Sequence, residues 1–192
     1  MQPKKYLIQA IKKLISEKGI ENIIVQDILD EANVSRATFY KYFWDKYDLA
    51  NAYYSEYVKV NILPRYDGTN WFSLLVHLLT FIKENKDYFI QLTDLTIHSF
   101  TEFIAKFGEK GYSQNYLVNT GKKELSSEDR YMLEFYNAGC VRLICCWLKG
   151  GCTDEPDYIA SLVLNLLPAV YHKVNNAAKA VSFDPYKIDM GK

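Results

Sequence analysis

The sequence of 192 residues has no excess of charge of either sign, because 23 Lys and Arg balance 23 Asp and Glu. A net positive field that attracts any polyanion is therefore absent, and binding to nucleic acid has to depend on where individual cations lie. The first 50 residues hold eight Lys and Arg against seven Asp and Glu. Any nucleic-acid contact here would use a small local patch, which a dimer would double.

Apolar runs long enough to cross a membrane are also missing, since a spanning helix needs about 20 consecutive apolar residues. The N-terminus lacks the charged-then-apolar pattern of a secretory signal. Hydrophobic residues make up 49% and charged residues 24% of the chain, a balance typical of globular proteins. We expect a cytoplasmic protein with no membrane partner.

Little in the sequence points to catalysis or to metal binding. The three histidines are scattered, and Gly121-Lys122-Lys123 lacks the Lys-Ser/Thr ending of a phosphate-binding loop. The four cysteines, Cys140, Cys145, Cys146 and Cys152, form no CxxC pair. We expect reduced thiols, with the first three buried in apolar packing, and a redox switch is the alternative. We predict no enzyme, no cofactor and no metal site.

What the sequence does contain is a helix-turn-helix pattern at residues 24–43, IVQDILDEANVSRATFYKYF. Apolar residues recur at helical spacing up to Ala32, and Asn33-Val34-Ser35 then interrupts them. Asn tolerates the left-handed conformation of a sharp turn, and Ser35 suits the N-cap of a second helix that begins at Arg36. Such a helix fits the major groove of DNA. An ordinary helical hairpin has the same spacing, so spacing alone leaves both interpretations open.

Over residues 4–57 the sequence resembles the N-terminal DNA-binding domain of the TetR/AcrR family of bacterial transcription regulators. The resemblance rests on an amphipathic first helix ended by Gly19, on VQDIL, on VSRATFYKYF and on the run DKYDL that opens a fourth helix. Three positions depart from the family pattern. The family often has Thr at Ile24 and Gly at Asn33, and a small, polar or Pro residue at Trp44.

The resemblance implies an all-α fold and a homodimer that binds double-stranded operator DNA. Residues 1–50 would form a three-helix, helix-turn-helix DNA-binding domain, and residues 51–192 a helical domain for ligand sensing and dimerisation. The matching motif positions assign base-edge contacts to Arg36, Ala37 and Thr38, and phosphate contacts mainly to hydroxyls and amines nearby. The complete predicted DNA-binding set is Ser35, Arg36, Ala37, Thr38, Tyr40, Lys41, Tyr42 and Lys46.

Apolar spacing in the second half predicts helices at 71–86, 87–107, 126–149 and 154–174, the last kinked at Pro168. The glycines and polar residues of 108–125 predict a loop. The helix at 126–149 is apolar on two sides, and such a helix needs one partner inside its domain and one beyond it. We therefore expect the last two helices of two subunits to form a four-helix dimer interface.

Candidate ligand contacts in the second half are His77, Phe81, His98, Phe103 and Asn137. The simpler interpretation is that the aromatic residues belong to the core and that the histidines lie in it or at its boundary. We predict a repressor that an effector releases by changing the distance between the recognition helices.

Two alternatives stay open for the function. The segment WLKGG, which ends at Gly151 and precedes an acidic-Pro helix start, resembles a subgroup that includes regulators of dihydroxyacetone kinase operons. That resemblance implies an activator controlled by a protein partner. The other alternative is a helical adaptor that does not bind DNA.

Overall fold

The computed structural model describes residues 3–62, 64, 70–95 and 97–166. In this part of the chain the backbone forms nine α-helices and no strand, which confirms the predicted all-α fold. The helices are α1 (Pro3–Lys18), α2 (Val25–Ala32), α3 (Arg36–Tyr42), α4 (Lys46–Tyr57), α5 (Trp71–Glu84), α6 (Lys86–Phe89), α7 (Phe100–Thr120), α8 (Ser127–Lys149) and α9 (Pro156–Asn165). None of these helices is long and apolar enough to cross a membrane.

Helix α1 is the centre of the N-terminal bundle and packs against α2, α3 and α4. Its apolar residues at three- and four-residue steps are buried: Leu7, Ile8, Ile11, Leu14 and Ile15. Gly19 ends the helix with φ of 76°, a conformation that strains any residue with a Cβ. The chain can therefore turn sharply back toward the bundle before α2.

The turn between α2 and α3 has the geometry that the sequence predicts. Asn33 lies in the left-handed region, with φ of 50° and ψ of 52°. Ser35 is the N-cap of α3, and its Oγ accepts a hydrogen bond from the Thr38 backbone N–H at 3.2 Å. Phe39 and Phe43 are both buried, with ring centroids 6.1 Å apart. These two rings fix α3 to the bundle and leave its other side exposed.

Helix α2 begins without the Thr that the family often has. Instead, Asp27 Oδ2 accepts a hydrogen bond from the Ile24 backbone N–H at 2.8 Å. The same carboxylate forms an ion pair with Lys18 at 2.8 Å, and Lys18 is the first cause of the lowered pKa of Asp27. The aspartate therefore satisfies one of the free amides at the start of α2.

Helix α4 leads from the N-terminal bundle into the second half of the chain. Asp45 is its N-cap and accepts hydrogen bonds from the backbone N–H groups of Tyr47 and Asp48 at 2.9 and 2.8 Å. The α-helix ends at Tyr57, and a π-helical segment continues it over Val58–Ile62. Of residues 65–70, which precede α5, only Asn70 lies within the described residues, as the N-cap of α5.

In the second half, α5 packs against α9 and α7 packs against α8. A cluster of aromatic rings joins α4 to this layer. Tyr57 stacks on Phe81 with ring centroids 3.6 Å apart, and Phe89 stacks on Phe100 at 4.5 Å. These aromatic residues are therefore core packing that connects α4, α5, α6 and α7.

The single helix predicted at 87–107 is wrong. The chain forms α6, a 3₁₀ turn at Ile90–Leu92, non-helical residues at 93–95 and 97–99, and then α7. His98 has φ of 47°, which no α-helix accommodates, and Ser99 Oγ accepts a hydrogen bond from the Glu102 backbone N–H at 3.0 Å. This cap starts a new helix where apolar periodicity suggests an uninterrupted one.

The loop predicted at 108–125 is also wrong, because α7 continues to Thr120. A Cβ at Gly108 would lie 2.3 Å from Asn137 Oδ1, so this glycine permits close approach of α7 and α8. Gly111 is buried. Both glycines belong to a packed helix and cost it only about 1 kcal/mol each in intrinsic propensity.

The predicted starts of α8 and α9 are confirmed. Ser126 and Asp129 form the capping box of α8, and Pro156 is the first residue of α9. The end predicted for α9 and the kink at Pro168 lie outside the described residues. Cys140 and Cys145 are buried as expected, whereas Cys146 is exposed and its predicted burial is wrong. Cys146 lies on the second apolar side of α8, which faces away from its own domain.

Candidate nucleic-acid interface and effector cavity

Seven of the eight residues predicted to contact DNA lie on α3 or at its N-cap, and the eighth, Lys46, is the first residue of α4. Five of them are exposed, namely Ser35, Arg36, Ala37, Tyr40 and Lys41. Thr38 and Tyr42 are half-buried, and the Thr38 hydroxyl lies 2.9 Å from Ser35 Oγ. This surface presents a guanidinium, an ammonium and hydroxyls around a small methyl, the groups that contact base edges and phosphates.

Trp44 extends this surface beyond α3. Its ring is 51% exposed, and its backbone N–H donates to Asp48 Oδ2 at 2.9 Å. The aspartate therefore holds the chain between α3 and α4 in one conformation. The exposed indole therefore adds a flat apolar surface next to the cations of α3.

Lys46 has contacts that the sequence did not suggest. Its ammonium donates to the carbonyls of Ile20 and Ile23, both at 2.8 Å, and of Glu21 at 3.4 Å. These three bonds tie the start of α4 to the turn before α2. The phosphate contact of Lys46 stays a prediction, and the structure gives this ammonium a second role in positioning α4.

The DNA-binding half and the second half meet at the start of α7. His98 Nδ1 lies 2.7 Å from Asp45 Oδ2, and the His98 carbonyl accepts a hydrogen bond from Asn51 Nδ2 at 2.7 Å. Asp45 is the N-cap of α4 and Asn51 lies in its second turn. His98 therefore contacts both the first and the second turn of that helix. His98 directly precedes Ser99, the N-cap of α7. The N-terminal end of α7 is therefore attached to the side of α4.

A partly open cavity of about 90 Å³ lies between α5, α7 and α8. Among the described residues its lining is almost entirely apolar and aromatic and includes no charged side chain. The lining residues are Tyr54, Trp71, Leu74, Leu75, Leu78, Leu79, Ile82, Ile104, Phe107, Gly108, Gly111, Tyr112, Asn137, Cys140, Val141 and Ile144. Burial raises the pKa of Tyr54, Tyr112 and Cys140, so these groups are neutral at physiological pH. The cavity therefore suits an uncharged molecule.

Comparison with known sequence families identifies the family of this chain. The profile of the "Bacterial regulatory proteins, tetR family" matches residues 7–53, and that of a "Transcriptional regulator C-terminal region" matches residues 69–169, which is more than half of the chain. The chain belongs to the TetR family. It is a DNA-binding transcriptional regulator, which confirms the function implied by the sequence resemblance.

Solved structures share the fold of this TetR-family regulator. The dihydroxyacetone kinase operon activator DhaS is 20% identical with a TM-score of 0.60, over 92% of this chain and 98% of that one. RolR without ligand is 16% identical with a TM-score of 0.55, over 94% and 99% of the two chains. RolR in complex with resorcinol gives a TM-score of 0.51 at 16% identity, over 96% of each chain. No curated protein matches the sequence.

Of the five residues predicted to contact a ligand, Asn137 lines the cavity of this TetR-family regulator. Phe81 is buried in the aromatic core, while His98 and Phe103 line a smaller pocket of about 20 Å³ beside Asp45. His77 is exposed, and its Nδ1 donates to the Ser73 carbonyl at 2.7 Å. The leucine pairs of α5 and the two glycines of α7 line the cavity between the helices, and the sequence predictions did not include them.

The second apolar side of α8 faces solvent in the monomer. Phe135 is 85% and Tyr131 73% exposed, and Gly139 and Cys146 are exposed as well. The opposite side, with Leu133, Asn137 and Cys140, is buried in its own domain. An exposed apolar helix face marks an interaction surface, and TetR-family regulators act as dimers.

Proposed function

We propose that this TetR-family regulator is a repressor that leaves its operator when a small molecule fills the cavity between α5, α7 and α8. The cavity itself carries the proposal, because it is apolar, uncharged and bounded by the helix that contacts the DNA-binding half. The regulator binds operator DNA as a homodimer. DNA is its target, and we therefore place the protein in the cytoplasm.

On this proposal residues 1–50 form the DNA-binding domain and residues 51–192 the sensing and dimerisation domain. Arg36, with Ala37 and Thr38, reads base edges, while Lys41 and the hydroxyls of Ser35, Tyr40 and Tyr42 contact phosphates. The exposure of this face and the burial of Phe39 behind it support the assignment. Two copies of the face in a dimer would read half-sites about one helical turn apart, roughly 34–36 Å.

The response to the ligand follows from the connection between α7 and α4. A molecule in the cavity presses on Ile104, Phe107 and Gly108 of α7. A displacement of α7 moves His98, and with it Asp45 and Asn51 of α4. Because α4 directly follows the recognition helix, its reorientation changes the distance between the two recognition helices of the dimer. A ligand that binds more tightly to the arrangement with the changed distance stabilises that arrangement. The operator affinity then falls by an amount set by the difference between the ligand's binding energies for the two arrangements.

Selection of bound duplexes from a random DNA pool tests the DNA-binding part of this proposal. We expect the purified dimer to enrich a palindrome whose half-sites lie about one helical turn apart, with affinity that falls steeply between two salt concentrations. A reporter gene under the selected site then gives the sign of regulation, and repression is expected. Failure to enrich any site with an intact dimer would instead support the non-DNA adaptor.

A cavity-filling substitution should imitate the ligand. Val141 lines the cavity and is buried, so Val141→Phe is expected to weaken operator binding by about tenfold, within the usual range of allosteric coupling. Adding His98→Ala removes the contact with Asp45 but leaves the bond from Asn51 Nδ2 to the His98 carbonyl, so it should restore part of the affinity. Binding is measured by fluorescence anisotropy on the selected operator.

Val141→Ala, which enlarges the cavity, is the control and should leave operator affinity unchanged. Thermal unfolding of each variant shows whether the fold is intact. Equal affinities of wild type and a folded Val141→Phe variant would contradict the coupling between cavity and DNA.

A further inference from the structure

The side chain of Asn137 is a polar group with one unused acceptor in an otherwise apolar cavity. The residue is 7% exposed and lies on the inner side of α8. Its Nδ2 donates to the Ala105 carbonyl at 2.8 Å. A carbonyl only accepts, so this bond fixes which end of the amide is nitrogen and which is oxygen.

Once Nδ2 is fixed, the position of Oδ1 follows. This oxygen lies 2.3 Å from the point where a Cβ would stand at residue 108, so only glycine leaves room for it. Among the described residues, the only hydrogen bond of the Asn137 amide is the one that Nδ2 donates. Oδ1 is not sealed off by protein atoms, and both Asn137 and Gly108 line the cavity. The oxygen is therefore a natural partner for a donor on a bound molecule.

The remainder of the cavity limits the rest of that molecule. Helix α5 contributes Leu74, Leu75, Leu78 and Leu79, and α8 contributes Val141 and Ile144. A charged group among these side chains would lose its hydration without compensation. The cavity volume of about 90 Å³ is of the same order as the roughly 150 Å³ apolar cavity that admits benzene. The space therefore limits the molecule to about one ring.

We propose that the effector is an uncharged one-ring molecule with a single hydrogen-bond donor, which Asn137 Oδ1 accepts while the ring packs on the α5 leucines. This inference rests on the proposed function, since it names the chemical class of the molecule that fills the cavity. Asn137 is then the specificity-determining residue, and Gly108 acts through it by leaving space for Oδ1.

Three probes of one ring separate the chemical requirements. Phenol carries the donor, toluene replaces that donor by a methyl of similar size, and benzoate carries a charge. Binding to the full-length dimer is measured by titration calorimetry near pH 7. Phenol is expected to bind and benzoate is not. Absence of phenol binding up to millimolar concentration, or benzoate binding equal to that of phenol, would overturn the proposal.

Asn137→Leu keeps the branching of the side chain at Cγ and removes the acceptor. We expect the ratio of phenol affinity to toluene affinity to fall at least about tenfold in this variant, because only phenol used the acceptor. If Asn137 only joins α8 to α7, the variant weakens both ligands equally and the ratio stays constant. That outcome would overturn the specificity role.

Gly108→Ala tests the same point with Asn137 in place. The added methyl has to displace Oδ1, so the affinity ratio should fall as it does in Asn137→Leu. Ile144→Leu, a volume-conserving change in the lining, is the control and should leave the ratio unchanged. Operator binding by ligand-free wild type is measured on the same preparation. A dimer that binds no operator contradicts the proposed function, whereas one that binds operator but not phenol overturns the ligand class alone.

Discussion

Phe135→Glu is expected to lower operator affinity by at least about 100-fold by breaking the dimer. Phe135 is 85% exposed in the monomer, and it lies with Gly139 and Cys146 on the side of α8 that faces away from its own domain. We expect this ring to pack against the partner subunit in the dimer, where a carboxylate would be buried without a counter-charge. A monomer has one recognition helix and lacks the avidity of two linked half-sites, which is commonly worth 10²- to 10⁴-fold.

Light scattering after size exclusion gives the mass of the variant, which should be that of one chain, and anisotropy gives its operator affinity. Ile90→Glu is the matched control, because Ile90 is also exposed, at 39%, but lies in the 3₁₀ turn after α6. That control should remain a dimer and keep its operator affinity. A dimeric Phe135→Glu variant with unchanged operator affinity would show that this side of α8 is not the interface.

Arg36→Ala should remove discrimination at one base pair of each half-site. A guanidinium that bonds a guanine edge is worth about 1–3 kcal/mol against the wrong base, and Arg36 is the exposed cation in the first turn of α3. Affinity for the best operator should therefore fall roughly five- to 150-fold, while operators already changed at that base pair should lose almost nothing. The measurement is a binding series over single-base-pair variants of the selected operator.

Lys41→Met is the comparison, since Lys41 is an exposed cation at the other end of α3. A phosphate contact carries no sequence information, so this variant should weaken binding to all operators alike. The slope of log affinity against log salt should become shallower by about one for each phosphate that the variant no longer neutralises. Equal loss on every operator from Arg36→Ala would assign its guanidinium to a phosphate instead.

The residues that build the helix-turn-helix could be identified from the sequence because each acts over a short stretch of chain. Asn33 turns the backbone through its own conformational preference, Ser35 caps α3 three residues ahead, and Asp45 does the same for α4. Such preferences and i to i+3 hydrogen bonds are present wherever the same few residues occur. The beginnings of α8 and α9 could be predicted for the same reason.

Contacts between distant residues decided the rest, and no local pattern reports them. Periodicity placed 87–107 in one helix, but the cap at Ser99 and the left-handed His98 divide it, and His98 meets Asp45 across 53 positions. Gly108 contributed to the predicted loop at 108–125, but in the structure it lies in α7 against Asn137. The sequence alone determined the helix-turn-helix, since its turn and caps depend on neighbours along the chain, and the family resemblance implied the class of regulator. The tertiary structure decided the cavity and its connection to α4, because both arise only where α5, α7 and α8 pack together.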